Sequence, residues 1–374
     1  MKVHPVLRIP CLLVARLLWL VRCPAIVLSQ RHHYNAGFRS ALSALWSGWA
    51  HGKHPGDTFQ YLALAGKSTG RRALVDSMPG SRQASLALQY LSSSADLAMA
   101  SYKRRTAERL AEIGVPVPRT FLELARHAIP DVSGAPWNSG IKLLLKPRHG
   151  MQAKGILTVQ QLANGDFQVG ADTILGKLAL TATLVAALKA DSLLVQEYVN
   201  PSTALRDLSP DAPPVIRVFS MRRAPGGPSR PVSAFLKLLP PGLDVPYGVD
   251  HLLLIPINIE TGILDAAILF DSPDRRFDAS PWTGAPVLGV KLPEWPLICE
   301  ITERAGAILP DTPLIGWDIL LGNSGPVILE ANTGVSLFRA MLREFEHGLP
   351  SQVPTTLQAW AALRRSPQPT SKPG

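Results

Sequence analysis

Between Ile315 and Asn332 the chain reads IGWDILLGNSGPVILEAN, two nearly continuous apolar runs joined by Asn323-Ser324-Gly325. Runs of this kind fit buried strands, and Asn-Ser-Gly between them is turn chemistry, so the stretch is predicted to be a β-hairpin within a sheet. A turn centred near 323–325 brings Asp318 opposite the neighbourhood of Glu330. Alternation places Glu330 and Asn332 on one face, which Asp318 can share. Buried carboxylates without a cation are costly. Two carboxylates and an amide oxygen form a hard-oxygen set suited to Mg²⁺, which takes few protein ligands and completes its shell with water and phosphate oxygens. The competing reading leaves both acids facing solvent and makes Asn332 a helix N-cap.

The rest of the chain falls into two patterns. Residues 36–112 read as mostly helical, with a break at Ser92-Ser93-Ser94 and a helix over about 96–113 that ends at Gly114 before the prolines of VPVPRT. Beyond that point short Val-, Ile- and Leu-rich runs alternate with turn residues. Strands are expected at 141–147, 155–159, 192–199, 214–222, 230–239, 251–258, 262–269, 315–321 and 326–331, and helices at 174–189, 292–308 and 335–347. The last eleven residues, RRSPQPTSKPG, are too polar to order themselves and read as a tail.

A site for Mg²⁺ and phosphate should be accompanied by cations. Lys146 ends the run LLLKP, and a loop bounded by Gly150 and Gly155 then carries Arg148, His149 and Lys154. Backbone N–H groups in a glycine-bounded loop approach phosphates closely, and lysines neutralise their charge. The run LLVQEYV ends by presenting Gln196 and Glu197, either to an adenine amino group and ribose hydroxyls or simply to water. Arg217 and Lys237 each stand alone in an apolar strand. A guanidinium so placed wants a phosphate or carboxylate partner.

In this order, Lys103 before GVPVP, Lys146, the glycine loop, QEYV, Arg217, and Asp318 with Glu330-Ala-Asn332, the pieces resemble the ATP-grasp superfamily. PLIGWDILLGNSGPVILEANTG, TGAPVLGVKLPEW and INIETGIL make the chain most similar to its sugar-transfer-associated family, over roughly residues 57–348. The resemblance implies an α+β fold with two lobes gripping ATP, after a helical N-terminal region at 1–100. The lobes would span 101–199 and 200–348, with a helical end and tail at 349–374. It further implies that Lys103 and Lys146 contact ATP phosphates or the adenine edge, with Gly150, Lys154 and Gly155 lining the phosphates. Gln196, Glu197, Tyr198 and Val199 would hold the adenine. Arg217 and Lys237 would face the transferred phosphoryl group, and Asp318, Glu330 and Asn332 would hold Mg²⁺. The sequence departs from the pattern in having Tyr102 before Lys103, a basic glycine loop, and Val335-Ser336-Leu337-Phe338 after EANTG, where peptide-forming relatives have Pro-Gly.

The implied activity is a carboxylate–amine or carboxylate–thiol ligase working through an acyl phosphate, on small-molecule or glycan-linked substrates in polysaccharide biosynthesis. A phosphotransferase on the same fold and a non-catalytic ATP-binding assembly protein are the alternatives. The formal charge of +10 raises a nucleic-acid reading that its distribution opposes. Residues 1–56 carry seven Lys or Arg and no acid, and 364–374 carry three more, which leaves 28 basic and 28 acidic residues in 57–363. The body is therefore neutral, without the basic surface a nucleic acid requires.

Three cysteines without metal-ligand spacing point to a reducing compartment and a cytoplasmic chain. The apolar run 6–28 is interrupted by Arg8, Arg16 and Arg22, so it lacks the roughly 20 apolar residues of a spanning helix. Residues 1–30 have three open readings: a helix on a membrane surface or partner, a helix packed on the body, or a targeting peptide. The first would make the protein peripherally membrane-associated.

Overall fold

The computed structural model describes residues 21, 23–31, 37–51, 53–64, 80–134, 136–138, 140–148, 155–210, 212–240, 252–270, 272–335, 339 and 352–365. Residues 23–31 are helical and are followed by α1 (Phe38–His51), α2 (Pro55–Leu64), α3 (Ser81–Leu91), α4 (Ser94–Ser101) and α5 (Lys103–Glu112). The serine break is a working cap, in which Ser93 Oγ accepts the Asp96 N–H at 3.1 Å. Tyr102, with φ −102° and ψ 87°, splits the single helix expected over 96–113. Thr106 Oγ1 closes the gap by donating to the Met99 carbonyl at 2.7 Å.

Two antiparallel sheets follow. The first contains β1 (Thr120–Leu124), β2 (Lys142–Pro147), β3 (Leu157–Gln161), β4 (Phe167–Val169), β5 (Thr173–Leu175) and β6 (Leu193–Glu197), in the order β1-β6-β2-β3-β4-β5. Between β5 and β6 runs α6 (Lys177–Leu188), whose Leu180, Leu184 and Leu188 recur every fourth residue and pack on Leu143, Leu145 and Val195. Residues 173–175 thus belong to a strand, and the helix expected from 174 starts after Gly176.

The second sheet contains β7 (Val215–Arg222), β8 (Ser229–Leu238), β9 (Leu253–Ile257), β10 (Ala267–Leu269), β11 (Ser272–Phe277), β12 (Leu314–Gly322) and β13 (Gly325–Asn332). Its order is β11-β10-β9-β8-β7-β12-β13. One face buries Ile315, Trp317 and Ile319 against Ile298 and Ile301 of α7 (Trp295–Ala305), which is shorter than the helix expected over 292–308 and ends in a 3₁₀ turn at Gly306–Ile308. The strand expected over 262–269 contracts to β10, because Gly262 turns with φ +73° and a Cβ there would lie 2.4 Å from Trp295 Cγ.

The opposite face is divided along the strands. One end is apolar, formed by Phe219, Met221, Phe235 and Leu314 and covered by Tyr61 and Leu62 of α2 and Val353 of α8 (Gln352–Arg365). The other end carries Arg217, Lys237, Asp318 and Glu330. Trp360 Nε1 donates to the Arg222 carbonyl at 2.7 Å, and Arg364, expected in the tail, donates from α8 to the Leu91 carbonyl at 3.1 Å. The helix expected at 335–347 falls outside the described residues apart from Val335, which is not helical, and Arg339, which is. Of the apolar run 6–28, residues 6–20 and 22 lie outside the described residues, and 21 and 23–28 are helical. Cys23 and Cys299 are free thiols, and burial pushes them up to about 12 and about 11.

Candidate active site

The predicted hairpin is present, and its register sets the chemistry. Asp318 pairs with Glu330 across β12 and β13, and Gly316 pairs with Asn332, so the three oxygen-bearing side chains share one face. On its other side β12 pairs with β7, which sets Arg217 beside Asp318, and Phe235 of β8 continues that row two residues before Lys237. Three strands therefore deliver one acid and two bases to a single point.

There Arg217 Nε and Nη2 each donate to one Asp318 oxygen at 2.6 Å, a two-pronged fork, and Lys237 Nζ donates to Asp318 Oδ1 at 2.9 Å. Asp318 is only 6% exposed. Its burial opposes ionisation, but Arg217 and Lys237 overturn that and hold its carboxyl well below the ordinary carboxylate value. Burial also opposes the charge on Arg217, and Asp318 more than restores it. For Lys237 the balance falls the other way: burial and the nearby Arg217 lower it despite Asp318. A Cβ at Gly316 would lie 2.7 Å from Val335 Cγ1 and 3.2 Å from Arg217 Cδ, so the glycine makes room for the fork.

Glu330 is the more open acid. Lys103 Nζ lies 3.7 Å from its Oε2, and Asn332 Nδ2 donates to its Oε1 at 3.3 Å. Lys146 reaches across from the first sheet, donating to the Leu329 carbonyl at 3.4 Å. Burial, reinforced by Lys103 and only partly relieved by Glu330, lowers its ammonium to about 8. Arg339 adds a further cation, with its guanidinium 4.5 Å from the centroid of the Phe270 ring. Burial and then Arg217 lower it to about 10. Sequence reasoning missed Arg339. A basic residue alone in the apolar run VSLFRA was the available signal, the same one that marked Arg217.

Five cations thus surround two carboxylates between the two sheets. Where the side chains are this deeply buried, such an excess asks for a polyanion.

The remaining expected residues divide. Gln196 lies in the row of Thr120 and Leu144, two positions from Lys146 on the same face of the first sheet. It is 1% exposed; its Nε2 donates to Thr120 Oγ1 at 2.8 Å, and its Oε1 is buried with no hydrogen-bond partner among the described residues. Alternation sends Glu197 to the opposite face, where its carboxylate accepts the Arg119 N–H at 3.1 Å. The Tyr198 N–H donates to the Lys142 carbonyl at 3.0 Å, and Lys142 Nζ stands 4.3 Å over the Tyr198 ring. Gly155 has φ +75°, a conformation that favours glycine. Gly150 and Lys154 lie outside the described residues. Arg148 stacks 4.0 Å over Tyr102 at the break before Lys103, tying the start of the loop to the start of α5.

The model of the sugar-transfer associated ATP-grasp family matches residues 81–344, most of the chain and every residue of this site. The chain belongs to that family. No curated protein matches it. Among solved structures, the ATP-grasp protein is similar to a D-alanine–D-alanine ligase from Bacillus anthracis complexed with ATP, at 11% identity and a TM-score of 0.42, over 74% of this chain and 70% of the other. It is similar to an N5-carboxyaminoimidazole synthase from Aspergillus clavatus in complex with ADP at 12% and 0.40, over 73% and 59%. An L-amino acid ligase from Bacillus licheniformis matches at 12% and 0.37, over 67% of this chain and 44% of its own length.

Proposed function

We propose that the protein is an ATP- and Mg²⁺-dependent ligase that activates a carboxylate as an acyl phosphate and passes it to an amine or thiol. The observation that carries the reading is the excess of cations at a site assembled from both sheets: Lys103 and Lys146 at one side of Glu330, Arg217, Lys237 and Arg339 around Asp318. Asp318, Glu330 and Asn332 offer the two carboxylates and amide oxygen that suit Mg²⁺, and these residues would hold it. When bound, the metal supplies charge neutralisation at the phosphate oxygens.

In this reading Lys103 and Lys146 hold the ATP phosphates. Arg217, Lys237 and Arg339 draw a carboxylate substrate towards the γ-phosphorus and neutralise charge as its oxygen attacks. The bond from that phosphorus to the bridging oxygen breaks and ADP leaves. The acceptor's amine nitrogen or thiol sulfur then attacks the acyl carbon, inorganic phosphate departs, and the acceptor loses a proton. Positioning and charge neutralisation are the main contributions of the side chains. The buried Gln196 Oε1 supports a nucleobase amino donor at the end of β6.

Small-molecule or glycan-linked carboxylates and amines, in polysaccharide assembly, complete the proposal. Hydroxylamine added to protein, ATP, Mg²⁺ and a panel of amino acids, uronic acids and lipid-linked sugars should yield a hydroxamate with at least one carboxylate. ATP turnover stimulated by a panel member but giving a stable phosphoester in place of hydroxamate would replace the ligase with a phosphotransferase.

A further inference from the structure

Helix α1 turns its large apolar side chains outward. Its buried positions are Ala41, Ala44, Ser47 and Gly48, while Phe38, Leu42, Trp46 and Trp49 are 67%, 51%, 53% and 38% exposed. At 100° per residue the four exposed side chains fall within a sector of roughly 80°. The Trp46 and Trp49 ring centroids lie 5.4 Å apart. A helix that rested on the protein through its best hydrophobic face would show the reverse order, and a contiguous exposed stripe of this composition marks a docking surface.

The small inner face has its own packing. Ala41 and Ala44 meet Phe59 of α2 together with Cys23 and Val27 of the preceding helical segment. Because α2 itself covers the apolar end of the second sheet, α1 is a second layer outside it. That preceding segment repeats the arrangement, burying Cys23 and Val27 while Val21 and Leu28 are exposed.

We propose that Phe38, Leu42, Trp46 and Trp49 form an interfacial anchor that seats α1 in the plane of an anionic lipid bilayer. Charge selects this occupant. Residues 1–56 carry seven Lys or Arg, of which Lys53 is buried, and no Asp or Glu, so the sequence around the stripe is basic without an opposing acid. A second copy would bring the same basic segment against itself, whereas acidic headgroups complement it. Tryptophan is suited to the headgroup boundary, where its ring is half in hydrocarbon. α1 has 14 residues, about 21 Å at 1.5 Å each, which is too short to cross a hydrocarbon core of about 30 Å. No described helix is long and apolar enough to cross a membrane. The anchor therefore lies on the bilayer, with the acid-free start supplying attraction and α1 the apolar insertion.

The test is sedimentation of the full chain with vesicles of phosphatidylcholine, with and without phosphatidylserine. The wild-type protein should sediment with the phosphatidylserine vesicles and be released by raised salt. Leu42→Ser combined with Trp46→Ser should lower that partitioning about tenfold or more, with ATP binding and far-ultraviolet circular dichroism unchanged. Equal sedimentation of variant and wild type would overturn the proposal, as would wild-type indifference to phosphatidylserine. A wild-type dimer that fails to bind vesicles and that the double substitution splits into monomers would assign the stripe to self-association instead.

Discussion

Replacing Lys146 with methionine should make the ligand-free protein more stable while disabling it. Methionine retains most of the packing of the lysine stem, and the bond given up, to the Leu329 carbonyl at 3.4 Å, is long and weak. What disappears is a buried ammonium. Its fall from the ordinary 10.5 to about 8 means that folding disfavours the charged form by roughly 3 kcal/mol, at about 1.4 kcal/mol per tenfold change. Because the folded-state value lies below the unfolded one, the unfolded chain binds more protons between pH 8 and 10.5, and wild-type stability rises with pH across that window. The penalty is fully present below pH 8 and relieved above it. Urea unfolding of Lys146→Met should therefore show a gain approaching 3 kcal/mol at pH 7 that shrinks as pH climbs towards 10. Calorimetry should show ATP affinity reduced by about ten- to a hundredfold. A variant no more stable than wild type at pH 7, or a gain that is flat with pH, would refute the reasoning.

Two further substitutions probe the acids. Glu330→Ala should lower ATP turnover by about a hundredfold or more, measured as phosphate release, while the dissociation constant for ATP changes less than about tenfold, because charge at the transferring phosphate matters most during transfer. Asp318→Asn removes the counter-charge of Arg217 and Lys237 and should cost about 3 kcal/mol in urea unfolding at pH 7. Asp318 is depressed in the folded state, so its contribution is complete well above the ordinary 3.8 and is lost as pH falls through and below that value. The acid side of the stability profile should accordingly be flatter in Asp318→Asn than in wild type.

Much of this architecture was legible because apolar runs and turn residues coincide. The hairpin of β12 and β13 was read within a residue or two, since buried strands leave continuous apolar runs and Asn-Ser-Gly closes them. β11, with the sequence SPDRRF, carries no such run and takes its form from pairing with β10 at the sheet edge. β4 and β5 have three residues each, too few for a period to show. The break at Tyr102 lacks Gly or Pro; it is bridged locally by the Thr106–Met99 bond and held from a distance by Arg148 over the Tyr102 ring. Within the site, sequence identified Arg217, Lys237 and Asp318 as separate interests. Their union depends on strand register across 101 residues of chain, which local pattern does not encode.

The divided face of the second sheet bears on where this protein can be cut. The family match covers 81–344, yet Tyr61, Leu62 and Val353, which shield Phe219 and Phe235 next to the charged end, lie on either side of it. Excision at those limits should strip an oily strip bare beside the Arg217–Asp318–Lys237 cluster and loosen the strands that align it. The span matched by the family is therefore shorter than the span that packs around this sheet.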